Sequence, residues 1–170
     1  GAYTIRVTVT DDDSGSGFVD VTLVVAAEDA RITYAGPLFV STDPRSPDQA
    51  LVELRAVVRD ISLVSDDPDW DADAGHITMA TVTFVNRDNG LVIAAGIPVQ
   101  LLGPDTGTGV AFCTWPVSLG PNDTAISCTI GVIVNYCYTR NTSADDVLVT
   151  VARPSGQFIT GGGYLVNEAS

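Results

Sequence analysis

Lysine is absent from this chain, and glutamate occurs only three times among its 170 residues. All basic side chains are arginines, 8 in number against 21 acidic residues, so the formal net charge is −13. A chain so short of positive charge repels a phosphate backbone, which excludes nucleic-acid binding. The same repulsion disfavours anionic membrane surfaces. No apolar run approaches the ~20 residues that a membrane helix needs, so no membrane insertion is expected. Apolar residues recurring every 3.6 positions are missing beyond a turn or two, which leaves no amphipathic helix. Histidine occurs once, as His76, and cysteine three times, as Cys113, Cys128 and Cys137. There is no Cys-x-x-Cys pair for zinc and no Gly-x-Ser-x-Gly elbow for a nucleophilic serine. No catalytic constellation emerges, and the chain is not expected to be an enzyme.

What remains is strand and turn chemistry. The chain is 45% hydrophobic and 17% charged, enough apolar material for a core and too much for a disordered segment. Thr, Val, Gly and Asp are abundant, which suits strands and tight turns. Tyr3, Ile5, Val7 and Val9 alternate with Thr4, Arg6 and Thr8, the period of two of a half-buried strand. After the turn Asp11-Asp12-Asp13-Ser14-Gly15-Ser16-Gly17, a second alternation places Val19, Val21, Leu23 and Val25 on one face. Together they predict a β-hairpin. Its eight inward side chains offer on the order of 10–20 kcal/mol if fully buried. Ordering the segment costs about 25–45 kcal/mol, so the hairpin needs a partner. Three are open: the rest of a domain in a longer chain, the 31–152 region, or a neighbouring subunit.

Residues 31–35, 51–59, 77–86, 91–102, 109–118, 124–138 and 145–152 read as seven further strands. In the second, Val52, Leu54, Ala56 and Val58 point inward and Glu53, Arg55 and Arg59 outward. Asn89-Gly90 marks a hairpin turn, and Gly96-Ile97-Pro98 an edge or bulge. The strand spacing predicts an antiparallel β-sandwich. The expected organisation is a hairpin over 1–27, a sandwich over 28–154 and an extra C-terminal strand over 155–170.

The segment GAYTIRVTVTDDDSGSGFVDVTLVV resembles the closing hairpin of a PKD (polycystic kidney disease) domain and covers about its last third. The strings ARITYAGPLFVST, ALVELRAVVRDI, AGHITMATVTFVNRDNG and YTRNTSADDVLVTVARP resemble bacterial immunoglobulin-like modules. FITGGGYLV is similar to the first strand of the β-rich module that often follows them. These resemblances imply an all-β, immunoglobulin-like sandwich within a secreted or cell-surface bacterial protein. Both ends read as pieces of neighbouring folds. The implied function is structural or adhesive, with assembly into a stalk or filament through other copies or adjacent modules. The Phe158–Val166 strand is a candidate donor to a neighbouring subunit. The alternative is a carbohydrate-binding accessory module of a secreted hydrolase, with surface glycans as partners and Trp70 as its stacking platform.

Two candidate sites stand out. Asp67, Asp69, Asp71 and Asp73 lie in an acidic loop that ends at Gly75, and alternating carboxylates on a turning loop suit Ca²⁺, a hard cation that takes six to eight oxygens. The bidentate acid that closes an EF-hand loop is missing, and the competing reading is a solvated acidic loop. Asp11–Asp13 form a second, weaker carboxylate cluster. A hairpin centred near Gly120-Pro121 would place Cys113 opposite Cys128 and permit a disulfide; the alternative is two buried thiols.

Overall fold

The computed structural model describes residues 1–61 and 75–154. Its central strand shows why the chain folds as it does. In β5 (Gln49–Asp60) every second residue is buried, and Val52, Leu54, Ala56 and Val58 are wholly removed from solvent. A strict alternation of this length commits one face to a core, because a one-residue slip would expose every apolar side chain.

β5 pairs antiparallel with β3 (Glu28–Tyr34) on one side and with β9 (Thr108–Ser118) on the other. Two-residue strands extend this sheet at its margins, β8 (Gln100–Leu101) beside β9 and β11 (Tyr138–Thr139) beside β3. The facing sheet has the order β4–β12–β10–β6–β7, built from β4 (Phe39–Ser41), β6 (Ala80–Asn86), β7 (Leu91–Pro98), β10 (Ala125–Tyr136) and β12 (Val147–Ala152). The order β3–β5–β9–β8 against β12–β10–β6 is that of an immunoglobulin-type sandwich. Phe84, Ile130, Val132, Val149 and Val151 of one sheet meet Val52, Leu54 and Val58 of the other in one cluster.

Several expectations change. The 91–102 run is two strands in different sheets, parted after Pro98, and Gly96 takes a left-handed φ of +67° within β7 where its register against β6 shifts. A further strand that no alternation marks, Phe39–Ser41, crosses to the opposite sheet and pairs parallel with β12. Ile77–Met79 forms a 3-10 turn ahead of β6 rather than strand. The hairpin near Gly120-Pro121 does not form: β9 pairs with β5 and β8, β10 with β12 and β6, and the 119–124 link crosses between sheets. The register expected to join Cys113 to Cys128 therefore does not exist.

The N-terminal hairpin is a sheet of its own. β1 (Ala2–Thr10) and β2 (Ser16–Val24) pair over their full length, from Ala2 opposite Val24 to Thr10 opposite Ser16. The Asp11 carboxylate accepts the Gly15 N–H at 2.5 Å, and Ser14 adopts a left-handed φ of 67° at the tip. Every residue of both strands is exposed.

Candidate functional site

The hairpin has two unlike faces. One carries Thr4, Arg6, Thr8, Phe18, Asp20 and Thr22. There the Arg6 guanidinium donates twice to the Asp20 carboxylate, at 2.7 and 2.8 Å, and its plane lies 4.1 Å from the Phe18 ring. That pairing raises the Arg6 pKa and holds the Asp20 carboxyl below its ordinary range. The other face pairs Tyr3 with Leu23, Ile5 with Val21 and Val7 with Val19, and Val9 lies beside the tip. Their exposures run from 47% at Ile5 to 69% at Val9. The face is contiguous, apolar and free of charged side chains.

A second group lies where the acidic loop leaves and rejoins the sandwich. Asp60 is fully buried at the end of β5, and the Tyr138 hydroxyl donates to its Oδ2 at 3.1 Å. Glu28 approaches from β3. Gly75 packs so tightly there that a Cβ on it would lie 2.6 Å from the Glu28 Oε2. Burial first, then the charges of Asp60 and Glu28, raise the Tyr138 pKa far above the ordinary phenol value. The candidate calcium ligands Asp67, Asp69, Asp71 and Asp73, with Trp70, lie outside the described residues, as does the Phe158–Val166 strand. Within the described residues, no three acidic, histidine or cysteine side chains are placed to hold a metal ion. In the Asp11–Asp13 turn, the Asp11 carboxylate is engaged by the Gly15 N–H.

Cys113, Cys128 and Cys137 are free thiols in this structure. Cys113 and Cys128 face the core from opposite sheets, and burial raises both pKa values; Cys137 is exposed. His76 is exposed at the start of the 3-10 turn, its Nδ1 2.7 Å from the Thr78 hydroxyl. An open groove of about 770 Å³ runs between Val40–Ser46 and the β5–β9 ends at Leu51 and Pro116, and among the described residues its one ionisable lining side chain is Asp43. Acid–base hydrolysis of a glycoside needs two carboxylates across a cleft, and this groove offers one. Trp115 packs against the core, whereas the Tyr136 ring is 72% exposed.

One surface was not foreseen. Arg31 of β3 lies directly opposite Arg59 of β5, and Arg55 sits further along the same outer face. Arg55 and Arg59 are recognisable from the alternation of β5, but Arg31 joins them only through the pairing of β3 with β5. The chain matches no known family model and none of the curated proteins compared with it.

Proposed function

We propose that this chain is a non-catalytic structural module of a secreted or cell-surface bacterial protein. Its sandwich serves as a rigid spacer and its hairpin as the element that joins it to another β-sheet. The observation that carries this reading is the uncovered apolar face from Tyr3 to Val9 and Val19 to Leu23. A lone two-stranded hairpin is marginal in water, and an open apolar sheet with free edges recruits a partner. Covering a half-exposed Val, Ile or Leu contributes about 1 kcal/mol each, a gross gain that must also meet the cost of association, so weak, concentration-dependent assembly is the expectation. Calcium bound by Asp67, Asp69, Asp71 and Asp73 belongs to the same reading, as a stiffener of the loop between β5 and β6. The Phe158–Val166 segment is a further candidate for strand donation between copies.

Sedimentation velocity over a concentration series tests the proposal. The full chain is expected to pass from monomer to larger species, and Val7→Asp on the apolar face to stay monomeric. A wild-type chain that remains a uniform monomer to high concentration refutes self-assembly as its job.

The alternative, a carbohydrate-binding accessory module, draws on the exposed Tyr136 ring, since sugars stack on exposed aromatic faces. Quenching of tyrosine and tryptophan fluorescence by oligosaccharides, abolished in Tyr136→Ala, would favour it.

A further inference from the structure

We propose that the hairpin of one copy docks on the outer face of the β3–β5–β9 sheet of a second copy, joining the chains head to tail. This rests on the assembly reading above and adds the receiving surface.

The outer face of that sheet is divided along its length. Near the start of β5, Leu51 is 72% exposed opposite Pro116. Midway, Phe112 is exposed opposite Arg55, whose guanidinium lies 5.8 Å from the ring and donates to the Glu53 carboxylate of the same face at 2.6 Å. At the far end Arg31 and Arg59 stand side by side, both exposed. Like charges directly opposite each other on a sheet destabilise it. Among the described residues neither arginine forms an ion pair, although Asp105 lies close enough to feel the charge of Arg59. Three of the eight arginines in a chain of net charge −13 thus share one face; Arg55 pairs there with Glu53, and among the described residues Arg31 and Arg59 have no counter-charge in contact.

The hairpin matches the two ends of this face in the same register, with its middle lying over the self-neutralised Glu53–Arg55 pair. Its apolar face begins at Tyr3 and Leu23 and ends in the carboxylates of Asp11, Asp12 and Asp13. From Tyr3 to Asp11 is eight residues, as it is from Leu51 to Arg59. At ~3.3 Å per residue both distances are about 26 Å. With Tyr3 and Leu23 over Leu51 and Pro116, the acidic tip falls over Arg59 and Arg31. Arg6 and Asp20 neutralise each other on the opposite hairpin face and do not interfere. The seven apolar side chains of the hairpin face are each 47–69% exposed, an open surface for a partner sheet. The two surfaces are different patches of one molecule, so the contact is heterologous, and repeating it produces a ring or an open filament.

A charge-reversal cycle read by sedimentation velocity at low salt tests this. Arg31→Glu with Arg59→Glu is expected to weaken association at least tenfold. Asp12→Arg with Asp13→Arg spares Asp11, which closes the turn, and is expected to weaken it similarly. Each Asp→Arg change adds two charge units, taking the net charge from −13 to −9. General repulsion alone would therefore make this variant associate more tightly, the opposite result. The quadruple variant returns to −13 and is expected to recover association. All four altered positions are exposed, and thermal melting checks that each variant folds. Association that ignores both reversals, or a quadruple variant that fails to recover, overturns this docking mode while leaving hairpin-driven assembly in place. A wild-type chain that never associates overturns both.

Discussion

Replacing Leu54 and replacing Ile5 have opposite consequences if the hairpin stands apart from the sandwich core. Leu54 is wholly buried in β5, opposite Cys113 of β9. Leu54→Ala removes methyl and methylene groups from a packed site and leaves a cavity, a change that costs about 2–5 kcal/mol. For a chain of this size each kcal/mol lowers the melting temperature by about 2–4 °C. A mid-range loss of ~3 kcal/mol therefore lowers it by about 6–12 °C. Ile5 is 47% exposed on a two-stranded sheet whose every residue faces solvent. Ile5→Asp should leave the melting of the sandwich unchanged within about 1 °C and act on association instead. Near-ultraviolet circular dichroism follows both, recorded at a dilution where the chain is monomeric. If Ile5→Asp lowers the transition as far as Leu54→Ala does, the hairpin is part of the folding unit, and the separation argued from its exposure is wrong.

Acid should destabilise the fold in part through Asp88. Its Oδ2 accepts the Thr129 N–H at 2.8 Å, and this bond holds the carboxyl below its ordinary range. A depressed carboxylate pKa contributes stability above about pH 4 that is lost as the pH falls further, so Asp88→Asn should flatten the acid limb of a stability–pH profile. Alkali acts through Tyr34, whose phenol burial pushes up to about 12. A raised pKa makes that stability complete below the unfolded value near pH ~10, and it is lost as the pH rises toward 12. Tyr34→Phe should reduce this alkaline loss in denaturant titrations. Calcium should raise the melting temperature through Asp67, Asp69, Asp71 and Asp73, by an amount equivalent to about 2.7 kcal/mol at 100 times the dissociation constant. A transition that is unmoved by EDTA would show the acidic loop to be merely solvated.

Local pattern carried the strands well and their partners poorly. The alternation of Val52 to Val58 states which face of β5 is buried, and the alternations flanking Asp11–Gly17 put Tyr3 and Leu23 on one face of a hairpin, while their pairing is read from the structure. Both follow from a period of two that any half-buried strand must keep. The sheet assignment of β9 and β10 depends instead on contacts distant in sequence. Consecutive strands are neighbours often enough to suggest a hairpin, yet here the 119–124 link crosses the sandwich. That crossing is why Cys113 and Cys128 belong to opposite sheets. β4 is three residues long, too short to show a period. The facing pair Arg31 and Arg59 exists only once β3 lies beside β5, so half of the proposed docking surface had no signature in the order of residues.

The most direct test of the account is an isotope-filtered NOE experiment on an equal mixture of methyl-labelled and unlabelled chains. The account predicts contacts from the Ile5, Val7 and Val21 methyls of one copy to Leu51 and Phe112 protons of another, growing with concentration. Contacts from those methyls to residues of their own sandwich, with none between copies, would contradict it.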